Sequence, residues 1–151
     1  MLVLTFSIGP TRFVVDARRV CQVVPRVPLQ AVPLSEPYVA GVLDFRGGVL
    51  AVVDLSARLF GTVCKESLST RIIIVLIKHQ DREVPLGIIA EQVTQLCRAD
   101  SSAATSSSPE ASEHDCLGCI TRVDGALAQW IDVDQILPES VRIRMFDQIG
   151  E

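Results

Sequence analysis

Residues 41–59 read GVLDFRGGVLAVVDLSARL, and residues 118–137 read GCITRVDGALAQWIDVDQIL. In both stretches a Gly, a glycine-containing turn, an apolar run, an Asp and a final Leu follow in the same order. Gly41 and Gly48 stand 77 residues before Gly118 and Gly125, whereas Asp54 and Leu59 stand 78 before Asp132 and Leu137. The change of offset predicts one extra residue between the second turn and its Asp, as a β-bulge produces. A period of half the chain marks one module used twice, not a solenoid of short repeats. Two similar halves facing each other are expected.

Around these stretches the periodicity is that of strands. Val3 to Ile8 and Phe13 to Val15 flank the turn Gly9-Pro10-Thr11 and read as a hairpin. Val20, Val23 and Val24 lead into an arm with Pro25, Pro28, Pro33 and Pro37, which exclude helix and interrupt sheet ladders. Tyr38 to Leu43 and Val49 to Asp54 form a hairpin around Arg46-Gly47-Gly48, and Leu55 to Phe60 make one helical turn closed by Gly61. In the second half Arg71 to Lys78 and Val84 to Ile89 flank the polar turn His79 to Arg82. Ala17-Arg18-Arg19-Val20 matches Ala90-Glu91-Gln92-Val93 at an offset of 73, so an insertion precedes the second signature. It falls in the Ser-rich stretch of residues 100–115, expected to be a flexible loop. The closing residues 138–151 fit a strand or a short helix equally.

About ten short strands in two sets indicate an all-β architecture of two small barrels or sandwiches. The lobes are expected at about residues 1–68 and 69–151 of a single domain. A half of about 70 residues has a large surface for its core, so a shared apolar seam is expected, and with it a groove between the lobes.

Composition narrows the function. With 151 residues and 48% hydrophobic content the chain can bury a core. The longest apolar run, Ile72 to Ile77, is six residues, against roughly 20 needed to cross a bilayer. There is no basic segment followed by an apolar stretch at the N-terminus, and five cysteines without a signal peptide suit reduced thiols, so the cytoplasm is expected. A net charge of −4 gives no footprint for nucleic acid.

Catalytic candidates are few. His79 lies in a polar turn and His114 in the Ser-rich loop, neither in a constellation with a nucleophile. Asp54 and Asp132 occupy equivalent positions after an apolar strand and before a short turn, where an Asp caps backbone N–H groups. Cys116 and Cys119, with His114 and distant Cys97, present one CxxC knuckle, whereas a structural zinc site commonly pairs two. At the offset of 77 their repeat partners are Val39 and Val42, so small buried hydrophobes explain them. A redox CxxC ordinarily opens a helix that lowers the thiol pKa. No catalytic, cofactor or metal site is expected, and a small zinc or redox protein using Cys116 and Cys119 is the reading from a different class. The Arg46-Gly47-Gly48 turn is no phosphate cradle, because it lacks the GxxxxGK[ST] pattern. It lifts Arg46 to a hairpin tip beside the other lobe, where it is either a solvated arginine or a forked donor that fixes a lobe contact or a partner's carboxylate.

At this hairpin the sequence resembles a known family. PYVAGVLDFRGGVLAVVDLSARLFG is similar to the signature of CheW-type chemotaxis coupling domains, Tyr/Phe-Val-x-Gly-Val-x-Asn-Leu-Arg-Gly-x-x-x-Pro-Val-x-Asp-Leu. VCQVV, PLGIIAEQV and DGALAQWIDVDQIL extend the resemblance over nearly the whole chain. It implies two five-stranded SH3-like β-barrels around a hydrophobic seam, and a non-catalytic adaptor in a chemosensory array. It also implies partners: the regulatory domain of a CheA-type histidine kinase, and the cytoplasmic tip of a methyl-accepting receptor, which recruits the adaptor to arrays at the inner face of the membrane. No small-molecule substrate is implied. Val20, Gln22, Val23, Gly41 and Arg46 match the positions that the resemblance marks for partner contact. Gln22 replaces a frequent Glu, Asp44 the usual Asn, and Ala51 and Ala128 stand where Pro or a bulkier residue is common. These departures suit a divergent paralogue, such as one in a surface-sensing pathway. A module of a larger kinase or response-regulator fusion is the alternative, although Met1 directly before the first strand and Glu151 at the end of the second lobe favour a stand-alone unit. At the offset of 77 the second turn holds no arginine opposite Arg46, and Arg122 falls one step earlier.

Overall fold

The computed structural model describes residues 1–33, 36–93, 96–99 and 116–149. The Ser-rich stretch of residues 100–115, including His114, lies outside the described residues. Among the described residues ten strands form two five-stranded sheets. They are β1 (Leu2–Ile8), β2 (Thr11–Asp16), β3 (Val20–Pro25), β4 (Val39–Phe45), β5 (Gly48–Asp54), β6 (Arg71–His79), β7 (Arg82–Ala90), β8 (Leu96–Arg98), β9 (Leu117–Val123) and β10 (Ala126–Ile131). A short helix α1 (Leu55–Phe60) follows β5, and α2 (Glu139–Gln148) ends the described chain.

The sheets do not follow the halves. One runs β8-β1-β2-β10-β9 and the other β3-β6-β7-β5-β4. Each half therefore lends its first hairpin to the sheet built by the last three strands of the other half, and the boundary expected near residue 68 separates neither sheet. A hairpin is the unit that can be exchanged, because its own ladder is complete. β1 with β2 and β6 with β7 are such units, and a parallel pairing joins each to its host, β2 to β10 and β7 to β5. We call the first sheet lobe A and the second lobe B.

Exchange explains why both faces of the central strands are apolar. Along β6, Ile73, Val75 and Ile77 join a core shared by both lobes, while Ile72 and Ile74 fill the interior of lobe B. Along β1, Leu4, Phe6 and Ile8 enter the shared core, while Val3 fills lobe A with Val14, Cys97 and Trp130. β-branched residues crowd these strands because they pack well on a pleated surface buried on both sides. Helix α2 settles the closing segment: it buries Val141, Met145 and Phe146 in the shared core and leaves Ile143 exposed.

The pairing also corrects the alignment of the two signatures. Lobe B pairs Phe45 with Gly48, Asp44 with Val49, Val42 with Ala51 and Val39 with Val53. Lobe A pairs Val123 with Ala126, Arg122 with Leu127, Ile120 with Gln129 and Leu117 with Ile131. Every pair maps onto its counterpart at the single offset of 78 (123 − 45, 131 − 53). No extra residue separates the second turn from Asp132. Instead both hairpins carry the same irregularity, one surplus residue in the first strand, between Val39 and Gly41 and between Leu117 and Ile120. The counterpart of Gly125 is Gly47, not Gly48. Arg46-Gly47 and Asp124-Gly125 are the central residues of identical two-residue turns, with φ of 53° and 78° in one and 51° and 78° in the other. Positive φ at both positions is the I′ geometry that matches strand twist.

Asp54 and Asp132 are caps, as their sequence context requires. The Asp54 carboxylate accepts from the Ala57 amide at 3.2 Å and from the Cys64 amide at 2.9 Å. Asp132 accepts from the Asp134 amide at 3.1 Å. Helix α1 closes on Gly61, which is left-handed at φ 74°.

A polar clamp ties the lobes together. Arg19, after β2 in lobe A, donates to both carboxylate oxygens of Asp134 at 3.0 and 2.6 Å and to the Leu76 carbonyl of β6 in lobe B. Asp134 also accepts from the Lys78 amide at 2.8 Å. Burial pushes the Asp134 carboxyl up, but the Arg19 guanidinium and the Lys78 amide outweigh it and hold the carboxyl below its ordinary range. A depressed folded-state pKa contributes stability that is present above the unfolded value near 4 and is lost as pH falls below it. Asp132 works in the opposite sense, because burial raises its carboxyl. Asp134→Asn is expected to cost roughly 1–2 kcal/mol at neutral pH and much less at pH 3, measured by urea denaturation across pH. An equal loss at both pH values excludes the clamp as an electrostatic device.

Candidate functional site

The five residues marked for partner contact do not form one patch. Two of them meet. The β4–β5 turn carries Arg46 over β3, where its guanidinium donates to Gln22 Oε1 at 3.0 Å and lies 4.8 Å from the centre of the Phe45 ring. Cys21 Sγ is 4.0 Å from the same guanidinium. Arg46 and Gln22 are both exposed, so the planar fork is held in place with donors left over for an incoming acceptor. Gln at position 22 suits this geometry: its amide oxygen orients the arginine without neutralising it.

Val20, Val23 and Gly41 lie elsewhere. Val23 follows Gln22 but pairs with Ile73, whose side chain enters the shared core, whereas Gln22 pairs with Ile74 of the lobe B interior. Alternation therefore puts Val23 and Gln22 on opposite faces of β3, with Val23 exposed. Val20 is half-buried against the shared core. Gly41 is buried, with φ 147°, and a Cβ there would stand 2.5 Å from the Gln30 carbonyl oxygen. That close approach lets Gln30 and Val42 exchange backbone hydrogen bonds at 2.9 and 2.8 Å, which seals lobe B. Gly41 shapes the lobe and offers a partner no side chain.

With the alignment corrected, the counterpart of Arg46 is Asp124 and that of Asp44 is Arg122. All four are exposed. The turns are alike in backbone and opposite in charge order: Asp-Phe-Arg-Gly in lobe B, Arg-Val-Asp-Gly in lobe A. Asp124 does not reach outward as Arg46 does, because its carboxylate accepts from the Cys97 thiol at 3.1 Å. Matching the x-Gly turns to each other, instead of Gly48 to Gly125, finds this inversion in the sequence. The Arg19–Asp134 clamp had no such signal, since its residues lie 115 apart.

His79, Cys116 and Cys119 pack inside the fold. His79 is not in the polar turn but ends β6, buried 4.8 Å from the Phe146 ring of α2. Cys116 enters the shared core, while Cys119 packs against the interior of lobe A, and their repeat partners are Tyr38 and Gly41, not Val39 and Val42. Among the described residues no group of three His, Cys, Asp or Glu side chains converges as metal ligands. Burial, then the hydrogen bond to Glu91, push the Cys64 thiol up to about 12, far from a reactive thiolate. Among the described residues no helix is long and apolar enough to cross a membrane.

Comparison with known proteins agrees with this fold. The family model of the CheW-like domain matches residues 2–141. A probable chemotaxis protein CheW of Rhizobium etli is 32% identical over 93 residues, which cover 62% of this chain and 57% of that protein. The chemotaxis protein CheW of Rhizobium meliloti is 23% identical over 92% of this chain and 88% of its own length, and that of Thermotoga maritima 25% identical over 91% and 87%. The crystal structure of the scaffolding protein TtCheW from Thermoanaerobacter tengcongensis superposes with a TM-score of 0.74 at 23% identity, covering 91% of this chain and 87% of that one, and so shares its fold of two SH3-like lobes. The chain belongs to the CheW-like domain family, a family of chemotaxis coupling adaptors.

Proposed function

We propose that this adaptor couples the cytoplasmic tip of a methyl-accepting receptor to the regulatory domain of a CheA-type histidine kinase, through a surface on lobe B centred on Arg46 and Gln22. The observation that carries the reading is the exposed guanidinium, held by Gln22 and the Phe45 ring and flanked by exposed Asp44. Both partners are proteins, and the adaptor works without catalysis at the inner face of the membrane, recruited there by the receptor. Contacts of this kind bury an area near the small end of the roughly 1,200–2,000 Å² class, which suits reversible assembly. The lobe A turn, with its charges inverted, is unable to substitute for Arg46 against the same acceptor, so the adaptor has a defined polarity.

The purified chain is titrated calorimetrically with the kinase regulatory domain and, separately, with a receptor-tip fragment. Arg46→Ala is expected to weaken one of these by about tenfold, the worth of one charge-assisted contact, with no change in melting temperature. Gln22→Ala, which frees the arginine, weakens it less. Parent-like binding of Arg46→Ala to both partners sinks the site. Val20→Asp is unsuitable as a probe, because Val20 packs against the shared core and a charge there is expected to destabilise the fold as well as any contact.

A further inference from the structure

The interior-facing rim of lobe A is polar where the same rim of lobe B is apolar. Thr5 pairs with Val14, and Ser7 with Arg12. In lobe B the corresponding pairs are Ile74 with Gly87 and Leu76 with Pro85. The correspondence is set by the parallel ladders, in which Trp130 meets Val14 and Val52 meets Gly87. The fold is therefore satisfied by apolar residues here, and the polar set of lobe A is a departure from what packing requires.

Thr5, Ser7 and Arg12 line a groove of about 370 Å³ together with Phe6, Gly9, Pro10 and Gln92. That volume lies within the roughly 300–1,000 Å³ of small-ligand sites. Thr5, only 1% exposed, is tied to the Cys97 thiol. Gln92 is positioned by the double backbone bridge between Ser7 and Glu91, at 2.8 and 3.0 Å. Arg12 makes no ion pair or side-chain hydrogen bond among the described residues. Acids on or beside these elements are otherwise engaged: Asp16 with Arg18 at 2.8 Å, Asp124 with Cys97, and Glu91 with the Cys64 thiol at 3.4 Å. Among the described residues no carboxylate lines the groove.

We propose that this groove is a carboxylate-binding site, distinct from the Arg46 surface on the other lobe. The Arg12 fork takes the two carboxylate oxygens, and the Ser7 hydroxyl and the Gln92 amide supply further donors. The carboxylate comes either from a small free acid or from an acidic side chain of a protein partner, and the two sources share this chemistry.

The test follows the backbone amides of Ser7 and Gln92 and the Arg12 Nε–H by NMR in the full chain. One arm titrates succinate, and the other a blocked Gly-Glu-Gly tripeptide. Saturable shifts at these groups are expected with at least one probe, and the tighter probe identifies the source. Arg12→Gln weakens that binding at least tenfold and Ser7→Ala, which keeps the charge, weakens it less. Arg82→Gln, the same charge change at the exposed β6–β7 turn, leaves it intact. Two results overturn the proposal: the absence of saturable shifts at these groups with either probe, or equal losses in Arg12→Gln and Arg82→Gln. The parent titration decides even if a variant folds poorly.

Discussion

Phe146→Ala is expected to destabilise the chain by about 3–5 kcal/mol, the range for truncating a fully buried aromatic side chain. Phe146 is 1% exposed, lies in the core shared by both lobes, and sits against the buried His79 ring. Val141 and Met145 of the same helix enter that core beside it. The loss combines the transfer of the ring to water with the cavity left between two sheets that cannot both close over it. Urea denaturation of the full chain measures it, with Ile143→Ala as the comparison. Ile143 is on the exposed side of α2 and is expected to cost well under ~1 kcal/mol. Similar losses in the two variants contradict the placement of α2 on the seam.

Gly41→Val is the second large effect, expected at about 3 kcal/mol or more. Two costs add. The backbone at φ 147° is a region that only glycine occupies without strain, and the Gln30 carbonyl stands where Cβ must go. Relief of the clash separates Gln30 from Val42, so the exchange of their hydrogen bonds fails and lobe B opens at its seal. Hydrogen exchange of the Val42 amide reports this directly: fast exchange is expected in the variant and slow exchange in the parent. Unchanged protection together with parent-like stability refutes the closure role. This effect also separates Gly41 from Arg46 as a functional position, because Arg46→Ala leaves the fold intact and Gly41→Val does not.

Much of the fold was legible along the chain. β-branched runs, two-residue turns and the repeated signature located the strands, and Asp54 with Gly61 bounded α1 through local hydrogen bonds and a left-handed residue. These features are decided within a few residues, where sequence pattern speaks directly. The register of the repeat was less secure. Gly47 and Gly48 are adjacent, and choosing Gly48 as the partner of Gly125 shifted the alignment by one, hid the shared irregularity in β4 and β9, and concealed the exchange of Arg46 for Asp124. A one-residue error matters in a strand because it reverses which face each side chain occupies.

The candidate site divides in the same way. Arg46 at a hairpin tip follows from the turn residues alone, but its contact with Gln22 depends on β3 and β4 being brought together by the closure at Gly41. The clamp between Arg19 and Asp134 and the groove at Arg12 join residues from distant segments, with no periodicity to announce them.

The strands, the turns, the cap of α1 and the duplication follow from local sequence, because each rests on local hydrogen bonding and on the period-two alternation of apolar residues. Tertiary structure alone decided which hairpin joins which sheet, that residues 139–148 are a helix on the seam, and that Gln22 holds the Arg46 guanidinium. Those outcomes depend on burying two apolar faces at once, and a central strand that is apolar on both sides does not say which neighbour will cover it.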